Sequence, residues 1–269
     1  MTVVAVTTRS RLRGLRFLPP MVIATLRIRR QLARTEGVVR WASIVAGPHE
    51  FWTLTVWSSR HAMQEFMRSD AHGEVMWRVA RWLRSFWLMR WQPGARELGT
   101  WDGFALAQPE RNARRDELLD RLAELGADGD VRAPGARAAR GSGVVVRLPL
   151  RPRALLALLA LRSTLQRDER LLRIALGLGN RRDLYLFAVW SDPAVADEVV
   201  AGEWARRAAA RHGGGLWIHE WRPESELGHW DGLRVRVKTR PRAVRGSADE
   251  LRAGGRPPSR ARAHRPRAR

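Results

Sequence analysis

Two hydrophobic periodicities, one typical of strands and one typical of helices, alternate along the chain. Short β-branched and aromatic runs predict strands, and apolar residues at helical spacing predict the helices between them. Up to residue 91 the predicted order is strand, helix, strand, strand, helix, strand, over Val3–Val6, Leu15–Ala33, Val38–Val45, Phe51–Trp57, Arg60–Leu83 and Phe86–Trp91. The same order recurs over Val144–Leu148, Arg153–Gln166, Leu171–Leu178, Asp183–Trp190, Pro193–Arg211 and Gly215–Trp221. We expect the helix that follows Arg60 to bend near Ser69-Asp70.

The two sets of elements also share sequence motifs. The segment from Trp91-Gln92-Pro93 to Trp101-Asp102-Gly103 returns as Trp221-Arg222-Pro223 to Trp230-Asp231-Gly232, with Trp91 and Trp221 130 residues apart. Phe51–Ser58 resembles Leu184–Ser191 at an offset of 133 residues. Matches that keep their order indicate an internal duplication. The order βαββαβ is that of a ferredoxin-like unit, so the predicted class is α+β, with two such units in tandem.

The repeat sets the expected domain boundaries. Residues 1–103 form the first unit, 104–141 a linker with a short helix at Asp116–Leu125, and 142–232 the second unit. Residues 233–269 are expected to be a disordered, arginine-rich tail. The repeated Trp-Asp-Gly motif is interpreted as structural, because Asp-Gly favours a turn and the tryptophan can cover an apolar edge.

Composition narrows the function classes. The 269 residues are 45% apolar and 28% charged and include no cysteine, which excludes thiolate sites and disulfides. The formal charge is +22, but residues 233–269 hold 13 Lys or Arg and two acids, so the tail alone carries +11. Lys238 is the only lysine, which indicates codon bias and does not favour nucleic acid as a partner. A salt-sensitive contact of the tail with nucleic acid or anionic lipid stays open.

The chain contains no apolar run near the roughly 20 residues that a membrane helix needs, and we predict no transmembrane segment. The sequence shows no secretory signal, so the expected location is the cytoplasm.

A ligand cavity is expected between the two sheets, because each unit leaves one sheet face bare. Alternation along the third strand places Trp52, Leu54 and Val56 under the helices and Thr53, Thr55 and Trp57 on the bare face. Arg40 and Arg90 are expected to reach the same space, and His219 is a further candidate for its lining. The alternative is a solid interface in which the arginines pair with acids at the rim.

Three short segments resemble a known superfamily. Phe51–Trp57, Met63–Phe66 and Ser69–His72 are similar to the dimeric α/β-barrel superfamily, which includes antibiotic-biosynthesis-monooxygenase-like, haem-degrading and spheroidene-monooxygenase-like proteins. The resemblance implies a single-chain barrel, in which the two units act as a pseudo-dimer, and a monooxygenase-like activity. Further oligomerisation is left open. In haem-degrading relatives the axial histidine would fall at Met76, whereas His72 lies one turn earlier, so the cofactor is either none or haem.

The hypothesis is therefore a monooxygenase-like protein that acts on, or binds, a small apolar, aromatic or polyene compound. Arg40 or Arg90 would stabilise an anion, Thr53, Thr55 or Trp57 would orient the substrate, and His72 is the candidate ligand for substrate or haem. No metal site and no separate cofactor-binding residue is predicted. The alternative is a non-catalytic module that binds a small ligand or haem, and catalysis itself is left open.

Overall fold

The computed structural model describes residues 3–106 and 141–231. The predicted linker helix Asp116–Leu125 and the arginine-rich tail lie outside these residues. The elements of the first half (residues 3–106) are β1 Val4–Leu12, α1 Leu18–Leu32, β2 Val38–Gly47, β3 Glu50–Trp57, α2 Arg60–Arg68, α3 Asp70–Trp82 and β4 Leu83–Gly99. Those of the second half (residues 141–231) are β5 Ser142–Pro149, α4 Pro152–Leu165, β6 Leu171–Gly179, β7 Asp183–Trp190, α5 Val195–Ala201, α6 Glu203–His212 and β8 Trp217–Gly228.

All eight strands form one closed antiparallel barrel in the order β1-β3-β2-β6-β7-β5-β8-β4. The halves meet along two seams. One is the long β4–β8 ladder, and the other is the short β2–β6 contact, with Ile44 opposite Gly179 and Val45 opposite Leu178. The helices pack on the outside of the barrel. The α+β class is therefore confirmed, and so is a closed eight-stranded barrel within one chain.

Local sequence explains where the helices begin and end. The Ser59 side chain accepts a hydrogen bond from the Ala62 amide at 3.1 Å and caps α2. Ser69 adopts an extended conformation, with φ −60° and ψ 137°, and separates α2 from α3. The bend predicted at Ser69-Asp70 is thus confirmed as a break between two helices. No helix in the described residues is long and apolar enough to cross a membrane.

The inside of the barrel is filled with side chains. Trp52, Leu54 and Val56 of β3 point inward, as do Trp87, Met89 and Trp91 of β4, and they pack against inward residues of the second half. Only about 20 Å³ of free space remains there, roughly one water. Two predictions are therefore wrong: the cavity between the sheets, and the placement of Trp52, Leu54 and Val56 beneath the helices. The physical reason is that an eight-stranded barrel encloses a volume that large side chains must fill.

Each end of the barrel is closed by a tryptophan turn and a buried arginine. Trp101 and Phe104 bracket a turn with Asp102 at φ 53°, and Asp102 accepts a hydrogen bond from Arg147 of β5 at 2.7 Å. At the other end Arg9 of β1 donates to Asp231 at 2.9 Å, beside Trp230. Each turn thus pairs with an arginine from the other half. This confirms the structural interpretation of the Trp-Asp-Gly motif for the part of it that lies in the described residues.

A histidine is buried in the same interior. His219 of β8 is fully buried, stacks on Trp221 with ring centres 4.3 Å apart, and donates from Nδ1 to the Glu220 carbonyl. Its Nε2 has no hydrogen-bond partner. Burial lowers the pKa of His219 to about 4, because the imidazolium would lose its hydration there.

Replacing His219 should make the free energy of unfolding less dependent on pH. The unfolded chain takes up the proton near pH 6.5 and the native chain only near pH 4, so the native state loses about 3 kcal/mol as the pH falls across that window. We expect His219→Leu to recover most of this difference in urea unfolding followed at both pH values. His61→Leu, which changes an exposed histidine, is the control and should leave the acid dependence unchanged. An equal acid loss in His219→Leu and the parent chain would contradict the assignment.

Candidate functional site

A cavity of about 410 Å³ lies between the helices and the sheet of the first half. Its sheet side is formed by outward side chains of β1, β2, β3 and β4. Its helix side is formed by α1, α2 and α3. The cavity therefore lies outside the barrel, not between the two sheets, and Leu227 of β8 is the one lining residue from the second half.

Hydroxyl groups run across the sheet side of this cavity. Strand pairing places Thr8 opposite Thr53 and Thr53 opposite Ser43, so that three neighbouring strands each contribute one hydroxyl at the same level. We call these three residues the hydroxyl row. Thr8 and Thr53 are hydrogen-bonded to each other through their hydroxyls. One level further on, Trp57 donates from Nε1 to the Thr55 hydroxyl at 2.9 Å, so both residues are held in place.

The second half shows that this polarity is not required for packing. By strand pairing, Thr53 corresponds to Leu186 and Thr55 to Ala188, since Trp57 and Trp190 begin equivalent ladders. Leu186 and Ala188 are fully buried in an apolar cluster with the helices α4, α5 and α6. The same architecture thus tolerates an apolar, packed layer. Half-buried hydroxyls beside an open space in the first half indicate a ligand that can hydrogen-bond to them.

The helix side of the cavity is apolar and rich in sulfur. Its members are Met21, Ala24, Ile28, Leu32, Met63, Phe66, Met67, Val75, Met76 and Val79. Methionine side chains adapt to ligands of varied shape and make favourable contacts with aromatic rings. Trp77 and Leu227 also line the cavity although they are 80% and 63% exposed, so they mark its opening to solvent.

His72 is the one titratable side chain in this lining. Its Nδ1 lies 3.3 Å from the carbonyl oxygen of Met67. A carbonyl can only accept, so Nδ1 carries the proton and the lone pair is on Nε2. The ring packs on Phe66, with centres 4.8 Å apart. Burial lowers the pKa of His72, which the Met67 hydrogen bond only partly offsets, so the imidazole is neutral at neutral pH.

The structure brings together four of the six predicted site residues. Thr53, Thr55, Trp57 and His72 all line the cavity, although Thr53, Thr55 and Trp57 were expected to face the other sheet. These three residues share one face of β3, as predicted, and that face lines the cavity. What covers that face is a helix layer.

Arg40 and Arg90 lie elsewhere. Arg40 donates from Nε to the Trp101 carbonyl at 3.0 Å and lies over the Phe104 ring, so it helps to close one barrel end. Arg90 faces Glu224 at 3.7 Å, and Glu224 also pairs with Arg60. Neither arginine is among the cavity residues. The alternative in which these arginines pair within the fold is thus the one observed for Arg90.

Sequence reasoning missed the contributions of β1 and β2. Thr8 and Ser10 lie beyond the predicted end of the first strand at Val6, whereas β1 continues to Leu12. The alternation Val6, Thr8, Ser10 is the signal that could have found them. Ser43 carried no such signal, because only its pairing with Thr53 brings it to the cavity.

The residues do not fit a metal or haem. No group of three or more His, Asp or Glu in residues 3–106 and 141–231 could hold a metal ion. His72 could present Nε2 to a haem iron, but the cavity lining offers no arginine or lysine for the two propionates. Haem therefore takes no part in the function proposed below.

Comparison with known proteins supports the fold. No model of a protein family and no curated protein matches the sequence. A solved aldoxime dehydratase is similar over 84% of this chain and 84% of its own, with a TM-score of 0.53 and 12% identity. A second, crystallised in complex with butyraldoxime, covers 82% of this chain and 79% of its own, with a TM-score of 0.50 and 11% identity. An anthrone oxidase-like protein covers 88% and 98%, at a TM-score of 0.33 and 13% identity. The barrel is therefore an architecture that small-molecule enzymes also use.

Proposed function

We propose that the first half binds a small, uncharged, largely aromatic or polyene compound in this cavity and oxidises it in a monooxygenase-like reaction. The observation that carries the proposal is the hydroxyl row beside an open 410 Å³ space, at strand positions that are apolar and packed in the second half. The row would hold a carbonyl or hydroxyl of the substrate. The methionine-rich helix side would pack against its rings.

The proposed reaction converts a CH₂ group that lies between conjugated groups into a ketone. Atoms and electrons balance as CH₂ + O₂ → C=O + H₂O, so the substrate supplies all four electrons. His72 Nε2 would take the first proton, because its lone pair is free and the ring is neutral. The hydroxyl row would stabilise the resulting anion, a role first assigned to Arg40 or Arg90.

A glycine in the cavity wall allows ligand binding to be tested apart from folding. Gly73 of α3 lines the cavity, and a Cβ atom at this position would meet no atom within 4 Å. We expect Gly73→Leu to weaken binding of anthrone, a tricyclic ketone with a suitable CH₂ group, at least about tenfold (~1.4 kcal/mol), because the leucine occupies the space. Binding is measured by titration calorimetry with the full chain.

Gly73→Ala is the matched control. Both variants remove a helix glycine and should raise the free energy of unfolding by up to about 1 kcal/mol, but alanine is too short to fill the cavity. Equal affinity of the leucine and alanine variants for anthrone would overturn this location of the site.

We also infer that the halves are two copies of one ferredoxin-like unit, at 1–103 and 142–232, joined by a linker and followed by the tail. The strand orders β4-β1-β3-β2 and β8-β5-β7-β6 support this pseudo-dimer. So do the 133-residue offset and the reciprocal tryptophan turns. On this view one copy keeps the cavity and the other has closed it with Leu186 and its neighbours.

A further inference from the structure

Two helices expose apolar residues at matching positions. Val22, Ile23 and Leu26 of α1 are 44–54% exposed, and Leu155, Leu156 and Leu159 of α4 are 37–67% exposed. Each residue of the first set precedes its counterpart by 133 residues, the spacing that also separates Thr53 from Leu186. These six side chains point away from the helix–sheet layers that the two helices cover.

The two helices border the same seam of the barrel. α1 contacts β2, α4 contacts β6, and β2 is hydrogen-bonded to β6. At this seam Val45 and Leu178 pair directly, and they are 49% and 43% exposed. We call this pair and the six helix residues, which border the same seam on its two sides, the apolar face. Apolar residues that cluster on a surface in this way mark an interaction site.

The charged side chains of α1 and α4 all have one sign. Residues 15–35 contain five arginines and no acid, and residues 148–167 contain four arginines and no acid. Arg30 lies on the helical turn next to Leu26, on the same side of α1, and it is exposed. The partner that this surface fits must therefore offer an apolar layer under a layer of negative charge.

We propose that the apolar face binds the surface of an anionic lipid bilayer. Apolar side chains enter the boundary between headgroups and acyl chains, and the surrounding arginines contact the phosphates. Charge complementarity distinguishes this partner from a second copy of the chain, whose own nine arginines would be brought against these nine. None of the eight residues of the apolar face lines the proposed catalytic cavity, although α1 forms part of its wall, so the two sites are distinct.

Vesicle flotation with the full chain tests the proposal. We expect binding to vesicles of equal parts phosphatidylglycerol and phosphatidylcholine, and weak binding to phosphatidylcholine alone. Ile23→Ser combined with Leu156→Ser should lower the partition coefficient at least about tenfold, because two apolar side chains are lost. Leu227→Ser changes a side chain of similar exposure on another surface and should leave it unchanged.

Charge-reversal variants provide an independent test in the same flotation assay. Arg30→Glu should weaken binding more than Arg211→Glu, which makes the same charge change on α6, and the difference should shrink at high salt. If vesicle binding changed equally in all these variants, the binding would be assigned to the arginine-rich tail and the proposal would be overturned. So would a serine variant that changes the oligomeric state in sedimentation and leaves vesicle binding intact, since a second copy would then cover the face.

Discussion

Turnover of anthrone should fall about a hundredfold or more when His72 is replaced by phenylalanine, within the range that a general base contributes. The phenylalanine keeps the contact with Phe66 but has no lone pair to accept a proton. Binding of anthrone should change little, because the hydroxyl row and the methionine side of the cavity remain. The measurement is oxygen uptake at saturating substrate, beside calorimetry of the same variant.

Two controls separate a base from a merely structural residue. His61→Phe alters an exposed histidine of α2 that pairs with Glu65, and it should leave turnover unchanged. The pH profile is the second control. Since burial lowers the pKa of His72, the rate of the parent should fall at a lower pH than it would with a solvent-exposed imidazole as the base. Oxygen uptake that persists in His72→Phe would show that the chain's own hydroxyls, or the substrate alone, are sufficient.

The order of elements could be predicted from the sequence because each element has one dominant periodicity. Which face of β3 points into the barrel could not be predicted. Both faces of this strand are covered, one by the barrel interior and one by helices, so Trp52 and Thr53 alternate between two buried environments. Alternation separates the two sets of side chains but does not say which set is inside. The larger set fills the barrel, and the smaller, hydroxyl-bearing set leaves room for the cavity.

The candidate site was predictable only where its residues are neighbours in sequence. Thr53, Thr55 and Trp57 share one strand face, and the resemblance of the segment Ser69–His72 led to the histidine. Thr8 and Ser43 join them only through inter-strand register, which one sequence does not specify. The positions of the arginines could not be predicted for a related reason. Arg40 is on a strand at a plausible position, but the acceptor that holds it is the carbonyl of Trp101, 61 residues further along.

Arg147→Met should lower the free energy of unfolding by about 3–5 kcal/mol, the usual cost of leaving a buried charge without its partner. Arg147 donates to Asp183 at 2.9 Å and to Asp102 at 2.7 Å, and its side chain is 8% exposed. Burial raises the pKa of Asp183, and the guanidinium opposes that shift. Without the arginine, Asp102 also loses its buried partner from the second half and keeps the exposed pair with Arg181. Urea unfolding followed by circular dichroism measures the change.

A double-mutant cycle separates the buried pair from lost packing. Asp183→Asn should be less harmful in the Arg147→Met background than in the parent, with a coupling of about 1–3 kcal/mol. Arg207→Met breaks an exposed pair with Glu203 on α6 and should cost at most about 1 kcal/mol. A cost for Arg147→Met no larger than for Arg207→Met would mean that solvent reaches the barrel end and screens the pair. The tryptophan turns would then close the barrel by apolar packing alone.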